Sequence, residues 1–498
     1  MSVESRSLER LTAGQEILFG GDRVVTVSPE LADAFAPGDQ VRIVERTGEL
    51  LHIPREEAAV AAAAVERAHR AFREMGGVTD DQISRFYEEF AQRLESPEVW
   101  DEIARVNADD VTKATQRGRS TTRLVAGDRL RRDMVDGLRG WISMDSRRGQ
   151  LIERVEHDGW RADLLGSELG VIAFVFEGRP NVLADATGVL RGGNTVVFRI
   201  GSDALGTAQT MMRCALDPAL EATGLPAGTA ALVESPAHAA GWALFCDPRL
   251  SLAVARGSGR AVATLGALAQ QSGVPVSLHG TGGAWIVASE TTKADVLERA
   301  VVESLDRKVC NTLNVMCLPR SRAEELMPVF LAAMKRAGDA LGQAYRLHVV
   351  DGDEAFVPAA LFDESVEVTR AEGIAREQRV DRIGEAELAT EWEWEQTPEV
   401  SLKIVDGLDH AVDLFNAYSP QFVASLVSDD ADEAERFFQR INAPFVGDGH
   451  TRWVDGQKAL NRPELGLSNW QSGRLFGRGG VLSGDSVYTV RTRVTTDR

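Results

Sequence analysis

Cysteine is scarce in this chain, with four residues (Cys214, Cys246, Cys310 and Cys317) among 498. No CxxC pair and no His/Cys grouping at metal-ligand spacing occurs, which argues against a disulfide scaffold and against any metal site. Long apolar runs are missing as well. The longest, Ala58 to Val65, is mostly alanine and far short of the roughly 20 residues that a bilayer-spanning helix needs. Positive charge is in deficit: 55 Lys and Arg stand against 75 Asp and Glu, a formal charge of −20. A field of that sign repels phosphate backbones and anionic membranes, so neither nucleic acid nor a membrane surface is an expected partner, although local basic pockets could still take small anions. The opening MSVESRSLER lacks the basic-then-apolar pattern of a secretory signal, and the expected compartment is the cytoplasm.

What is present is ordinary globular material, 44% hydrophobic and 26% charged. Residues 1–57 read as a β-rich extension, with short strand candidates (ILF, RVVTVS, QVRIVE, LLHI) between the turn signals GGD, PGD and RTGE. An alanine-rich helix is expected from near Glu57 to Gly76-Gly77. A second opens at Thr79, with Gln82 placed for a capping box and Ile83, Phe86, Tyr87, Phe90 and Leu94 forming a core stripe. The acidic stretch from Glu385 to Glu395 reads as a solvated face or loop.

From residue 170 onward, apolar runs alternate with helical segments. The runs Val171 to Phe176, Thr195 to Phe198, Thr229 to Val233, Leu250 to Ala255 and Val276 to Leu278 are short and continuous, as in strands covered on both faces of a parallel sheet. Repeated β-α alternation predicts an α/β fold, doubly wound, with chemistry at the carboxyl ends of the strands. Asn181, just past the first run, is either an oxyanion donor or a turn and helix-cap residue. Arg199 and Ser202 follow the second run, where they could hold a nucleotide ribose or serve as a surface arginine and a cap. Gly257, Ser258 and Gly259 make a small-residue turn after the fourth. There is no GxGxxG. Cys310 lies in Arg307-Lys308-Val309-Cys310-Asn311-Thr312, where the flanking cations favour a thiolate and the docking of an anion; a buried, inert thiol is the alternative. Cys317, between Met316 and Leu318, reads as an inert strand residue.

Taken together, FEGRPNV, GNTVVFRIGSDA, RKVCNTLN and TRWVDG, with NADDVTKATQRG and KIVDGLDHAV, occur in the order and spacing of the γ-glutamyl phosphate reductase family of the aldehyde dehydrogenase superfamily. The chain resembles that family over roughly residues 60–485. The resemblance implies two doubly wound α/β domains with a small β oligomerisation element. Its expected divisions are an extension (1–57), a nucleotide-binding domain (58–283), a catalytic domain carrying the cysteine (284–475) and an oligomerisation strand (476–498). It implies an NADPH-dependent reduction of an acyl phosphate such as L-glutamyl 5-phosphate, in proline biosynthesis, with NADH less expected as cofactor. Cys310 matches the nucleophile, and Asn181 matches the residue that forms the oxyanion hole with the cysteine's backbone N–H. Arg199 and Ser202 match the adenosine-ribose clamp, and Gly257, Ser258 and Gly259 the stretch near the nicotinamide. Arg179, Lys308, Asn311, Arg452 and Asp455 are the expected substrate contacts.

Aldehyde-oxidising relatives place a glutamate, the base for hydrolytic water, where this chain has His279, which favours acyl reduction. Departures from the family pattern fall on the substrate side. Asn314 stands where a glutamate is usual, PELGLSNWQS replaces FGLGAEVGIS, and FGRGGVL replaces HARGPMG. They motivate an alternative substrate: another acyl phosphate, an acyl-CoA or a carrier-bound thioester. An upstream kinase or ligase would supply the activated acid. The alternating run Ser486 to Thr496 predicts a homo-oligomer, a dimer or tetramer.

Overall fold

The five apolar runs between residues 171 and 279 form a single parallel sheet in the computed structural model, which describes residues 7–119, 121, 124–176, 178–370, 373–454, 459–467 and 480–496. Across this sheet the strands run Val276–His279, Leu250–Arg256, Val171–Phe176, Thr195–Ile200 and Ala230–Leu232, every neighbouring pair parallel. Numbered by chain position that order is 5-4-1-2-3, a doubly wound arrangement. All residues of Val171–Phe176 and Thr195–Ile200 are buried, so neither strand alternates in polarity. The order reverses between Val171–Phe176 and Leu250–Arg256. The ligand crevice of such a sheet therefore opens beyond Phe176 and Arg256.

The sheet belongs to a compact unit made of residues 1–280, 462–466 and 482–498. Its helical layer includes Asp80–Glu95, whose capping box is formed: Gln82 N donates to Thr79 Oγ1 at 3.2 Å and Thr79 N to Gln82 Oε1 at 3.0 Å. Ile83, Phe86, Tyr87, Phe90 and Leu94 are fully buried, as their spacing predicts. The N-terminal strand candidates form two antiparallel hairpins, Glu16–Phe19 with Arg23–Thr26 and Gln40–Val44 with Glu49–Ile53. The latter hairpin packs on the helix Gly259–Gln271, where Gln271 Nε2 donates to Ile43 O at 2.9 Å. The C-terminal strand Tyr488–Thr496 pairs antiparallel with Trp160–Glu168, which pairs with Leu151–His157. Ile152, Trp160, Val490 and Val494 are exposed on these strands.

A second unit comprises residues 281–461 and 467–481. Its core is a seven-stranded parallel sheet in the order Val380–Ile383, Arg346–Val350, Glu399–Val405, Leu313–Pro319, Ala284–Ala288, Val423–Val427 and Phe445–Gly447. The acidic stretch from Glu385 to Glu395 is, as expected, largely a solvated turn and loop, with Glu385, Glu387, Glu393 and Glu395 exposed, but it is anchored at three points. Leu388 and Trp394 are buried, and the Trp392 ring stacks on His348 with centroids 3.6 Å apart. Tryptophans alternate with glutamates here, so the segment anchors itself by its aromatic side chains and draws Glu391 inward with them. No helix among the described residues is long and apolar enough to cross a membrane.

Candidate active site

The first unit places Asn181 just beyond the strand Val171–Phe176, at the start of the short helix Val182–Ala186. Its Nδ2 donates to Asp185 Oδ2 at 2.6 Å. Asp185 is half-buried. Loss of hydration pushes its carboxyl up to about 7, against the opposing influence of Arg256 and the bond from Asn181. Arg256 does not neutralise it alone, because Arg256 Nη2 lies 3.1 Å from Glu464 and Nη1 donates to Leu465 O at 3.0 Å. Asp185 was missed in the sequence, although its i+4 spacing from Asn181 on a helix was a usable signal. Arg179, half-buried, precedes Asn181 in the same turn.

Beyond the strand Thr195–Ile200, Arg199 is 5% exposed and its Nη2 donates to the carbonyls of Pro236 and Ala237, both at 3.1 Å. Its Nε is buried without a partner among the described residues. Ser202 lies instead beside Arg119, whose Nη1 is 3.4 Å from Ser202 Oγ and 2.6 Å from Asp203 Oδ2. Arg117 also reaches Asp203, at 3.3 Å. Both arginines are about half exposed, so this strand end presents two guanidinium groups, paired with Asp203, that were not among the expected site residues. Gly257, Ser258 and Gly259 follow the strand Leu250–Arg256. Gly257 N donates to His279 O at 3.3 Å, and Ser258 occupies the N-cap position of the helix Gly259–Gln271.

In the second unit Cys310 sits in a turn leading into the strand Leu313–Pro319. Thr312 is the turn's internal brace: its Oγ1 accepts from Val309 N at 2.9 Å and donates to Arg307 O at 2.7 Å. From outside, Gly283 N donates to Cys310 O at 2.7 Å. Only glycine fits at 282, where a Cβ would lie 2.5 Å from both Cys310 Cα and Cys310 O. Cys310 is partly accessible, whereas Cys317 is fully buried and its thiol is pushed up to about 12 by loss of hydration.

The cations expected beside the thiol are engaged with protein groups. Lys308, with its side chain 8% exposed, donates from Nζ to Glu391 Oε1 at 2.6 Å, and Glu391 Oε2 accepts from Gly282 N at 2.6 Å. Arg452 Nε donates to Asp306 Oδ1 at 2.7 Å, and its Nη1 donates to Asn311 Oδ1. Thr451 Oγ1 completes the tie by donating to Asn311 O at 2.6 Å. Asn311 and Arg452, separated by 141 residues, are thus brought into direct contact. Asn314 engages both ends of its amide with the neighbouring segment, donating to Thr390 O at 2.8 Å and accepting from Trp392 N at 2.9 Å. Asp455, and most of the altered stretches around 468–479, lie outside the described residues.

Comparisons with known proteins agree with the motifs. The aldehyde dehydrogenase family model matches residues 181–347. The chain is 28% identical over 385 residues to a gamma-glutamyl phosphate reductase of Afipia carboxidovorans, covering 75% of this chain and 82% of the relative. It is 25% identical over 415 residues to the enzyme of the same name from Moorella thermoacetica, covering 81% and 90%. Among solved structures, gamma-glutamyl phosphate reductase of Thermotoga maritima superposes with a TM-score of 0.76 at 22% identity, covering 88% of this chain and 98% of that one. With its doubly wound sheets and its cysteine turn in place, the chain has the aldehyde dehydrogenase fold and is similar in sequence to relatives that carry the gamma-glutamyl phosphate reductase name.

Proposed function

We propose that this protein reduces an acyl phosphate, of the γ-glutamyl phosphate type, to the aldehyde. The observation that carries this reading is the sequence likeness to gamma-glutamyl phosphate reductases over three quarters of the chain, joined to a braced, partly accessible cysteine at the head of a parallel strand. In the first step the Cys310 thiolate attacks the acyl carbon and inorganic phosphate leaves with the C–O bonding pair, giving a thioester. Hydride then adds to the thioester carbon and the thiolate departs, releasing aldehyde. Asn181 is assigned as a side-chain donor to the oxygen that becomes anionic in both steps, an interaction whose loss typically costs about 10²–10³ in rate. Arg179, Lys308, Asn311, Arg452 and Asp455 are the proposed substrate-side group.

A nicotinamide cofactor supplies the hydride when bound. The doubly wound sheet, the Gly257–Ser258–Gly259 turn at its switch point and the orphaned, buried Nε of Arg199 fit such a group. Ser202, with Arg119 beside it, supports the phosphorylated form NADPH over NADH, because a hydroxyl and a guanidinium can both donate to a 2′-phosphate. The activated acid has to come from a kinase or ligase, and Asn314 in place of a glutamate leaves another acyl phosphate or a thioester as the alternative substrate. The test is aldehyde formation from γ-glutamyl phosphate with NADPH and with NADH, by wild type and Cys310→Ser. The variant is expected to form no aldehyde; retention of the wild-type rate would overturn the assignment, and turnover confined to thioesters would establish the alternative.

A further inference from the structure

Lys308 is two residues from Cys310, and a cation there would ordinarily stabilise the thiolate. Its ammonium is instead buried against Glu391, 83 residues away in sequence, at 2.6 Å. The same carboxylate accepts from Gly282 N through its other oxygen at 2.6 Å. A Cβ on Gly282 would lie 2.5 Å from Cys310 Cα and 2.7 Å from Glu391 Oε1, so the carboxylate and the cysteine backbone can be no farther apart than those two lengths laid end to end. One carboxylate therefore holds the glycine that abuts the cysteine, pairs with the cation beside it, and brings its own negative charge beside the cysteine backbone.

We propose that Glu391 is the positioning residue of the Cys310 turn and, by pairing with Lys308, sets the electrostatic field in which the thiol ionises. This rests on the reading of Cys310 as the nucleophile. Among the described residues, the other charged groups around the turn are mutually paired or peripheral. Asp306 pairs with Arg452 at 2.7 Å, Arg307 lies 4.0 Å from Asp306, and the exposed Glu393 is 4.0 Å from Lys308 Nζ. Removing the Glu391 charge takes an anion from beside the cysteine backbone and frees an adjacent cation, and both changes favour the thiolate.

The experiment follows alkylation of Cys310 by iodoacetamide across pH, with peptide mass mapping to separate it from Cys214. Glu391→Gln keeps an acceptor for Gly282 N and removes the charge. It is expected to raise the rate of Cys310 alkylation at neutral pH by about three- to tenfold and to move the midpoint of the profile to lower pH. Lys308→Met should shift the midpoint the other way, and the double variant should return toward wild type. Should Glu391→Gln not fold, the comparison of Lys308→Met with the double variant, which buries no lone charge, reads the same effect. Superimposed profiles, or a shift to higher pH on removing Glu391, would overturn the proposal. Wild-type turnover by Cys310→Ser would instead overturn the functional reading and leave these profiles untouched.

Discussion

Asn181 Nδ2 and Asp185 Oδ2 stand 2.6 Å apart across one helical turn, so the amide assigned to the oxyanion is aimed by a half-buried carboxyl of the first unit. Asp185→Leu removes the acceptor and is expected to lower kcat by about 10- to 100-fold with little change in KM, whereas Asp185→Asn should retain most activity. Steady-state kinetics decide this, and an unchanged kcat in Asp185→Leu would remove Asp185 from the site. The same residue gives a stability signature. Its carboxyl is raised from 3.8 to about 7 in the folded state, so folding takes up a proton between those values and stability falls as pH rises through that window. Asp185→Asn should therefore gain on wild type in melting temperature from about pH 4 to pH 7, with a constant gap above it.

Arg452 braces Asn311, the residue after the cysteine, against Asp306. Arg452→Lys cannot reproduce a fork that serves two acceptors at once. It is expected to lower kcat by roughly tenfold or more. A pure rise in KM would mean that the guanidinium acts as a substrate-anion contact alone.

Gly282→Ala places a methyl group 2.5 Å from Cys310 Cα and 2.7 Å from Glu391 Oε1. Cys310 Cα is backbone and must move. The expected loss of stability is about 1–3 kcal/mol, while kcat falls about 100-fold because the displaced atom belongs to the nucleophile. Thermal denaturation alongside kinetics would show this, and an alanine variant with the wild-type kcat would contradict the geometry.

His348 Nδ1 meets Asp381 at 2.5 Å and Nε2 meets Glu399 at 3.2 Å beneath the Trp392 ring. Burial opposes its protonation, yet the hydrogen bonds to these two carboxylates prevail and raise it above its usual 6.5. The stabilisation from protonated His348 is thus fully present below pH 6.5 and is lost as pH rises through the elevated folded-state value. The melting-temperature gap between wild type and His348→Asn should be widest near pH 6 and narrow on the alkaline side. A gap that widened with pH would reverse the assignment.

Much of this was legible in the chain itself. Continuous apolar runs marked the strands of the first sheet because a strand covered on both faces has no polar side to display. Thr79 and Gln82 marked a helix start because capping is local chemistry, and RKVCNTLN marked Cys310 because a motif is local too. The stretch from Glu385 to Glu395 was read as a solvated face or loop, which most of it is, but the inward turn of Glu391 escaped that reading, since composition reports charge and not which glutamate the neighbouring tryptophans carry inward.

Sequence alone determined the fold class, the superfamily resemblance and the identity of the candidate nucleophile. Only the tertiary structure decided the electrostatic state of its surroundings. Lys308 and Arg452 are cations in any reading of the sequence. Whether they offer that charge to a ligand depends on Glu391 and on Asp306 with Asn311, and these meetings arise from the order in which distant strands enter one sheet. Pairing across 83 or 141 residues leaves no periodicity in the chain, because the geometry that creates it exists only after the sheet has formed.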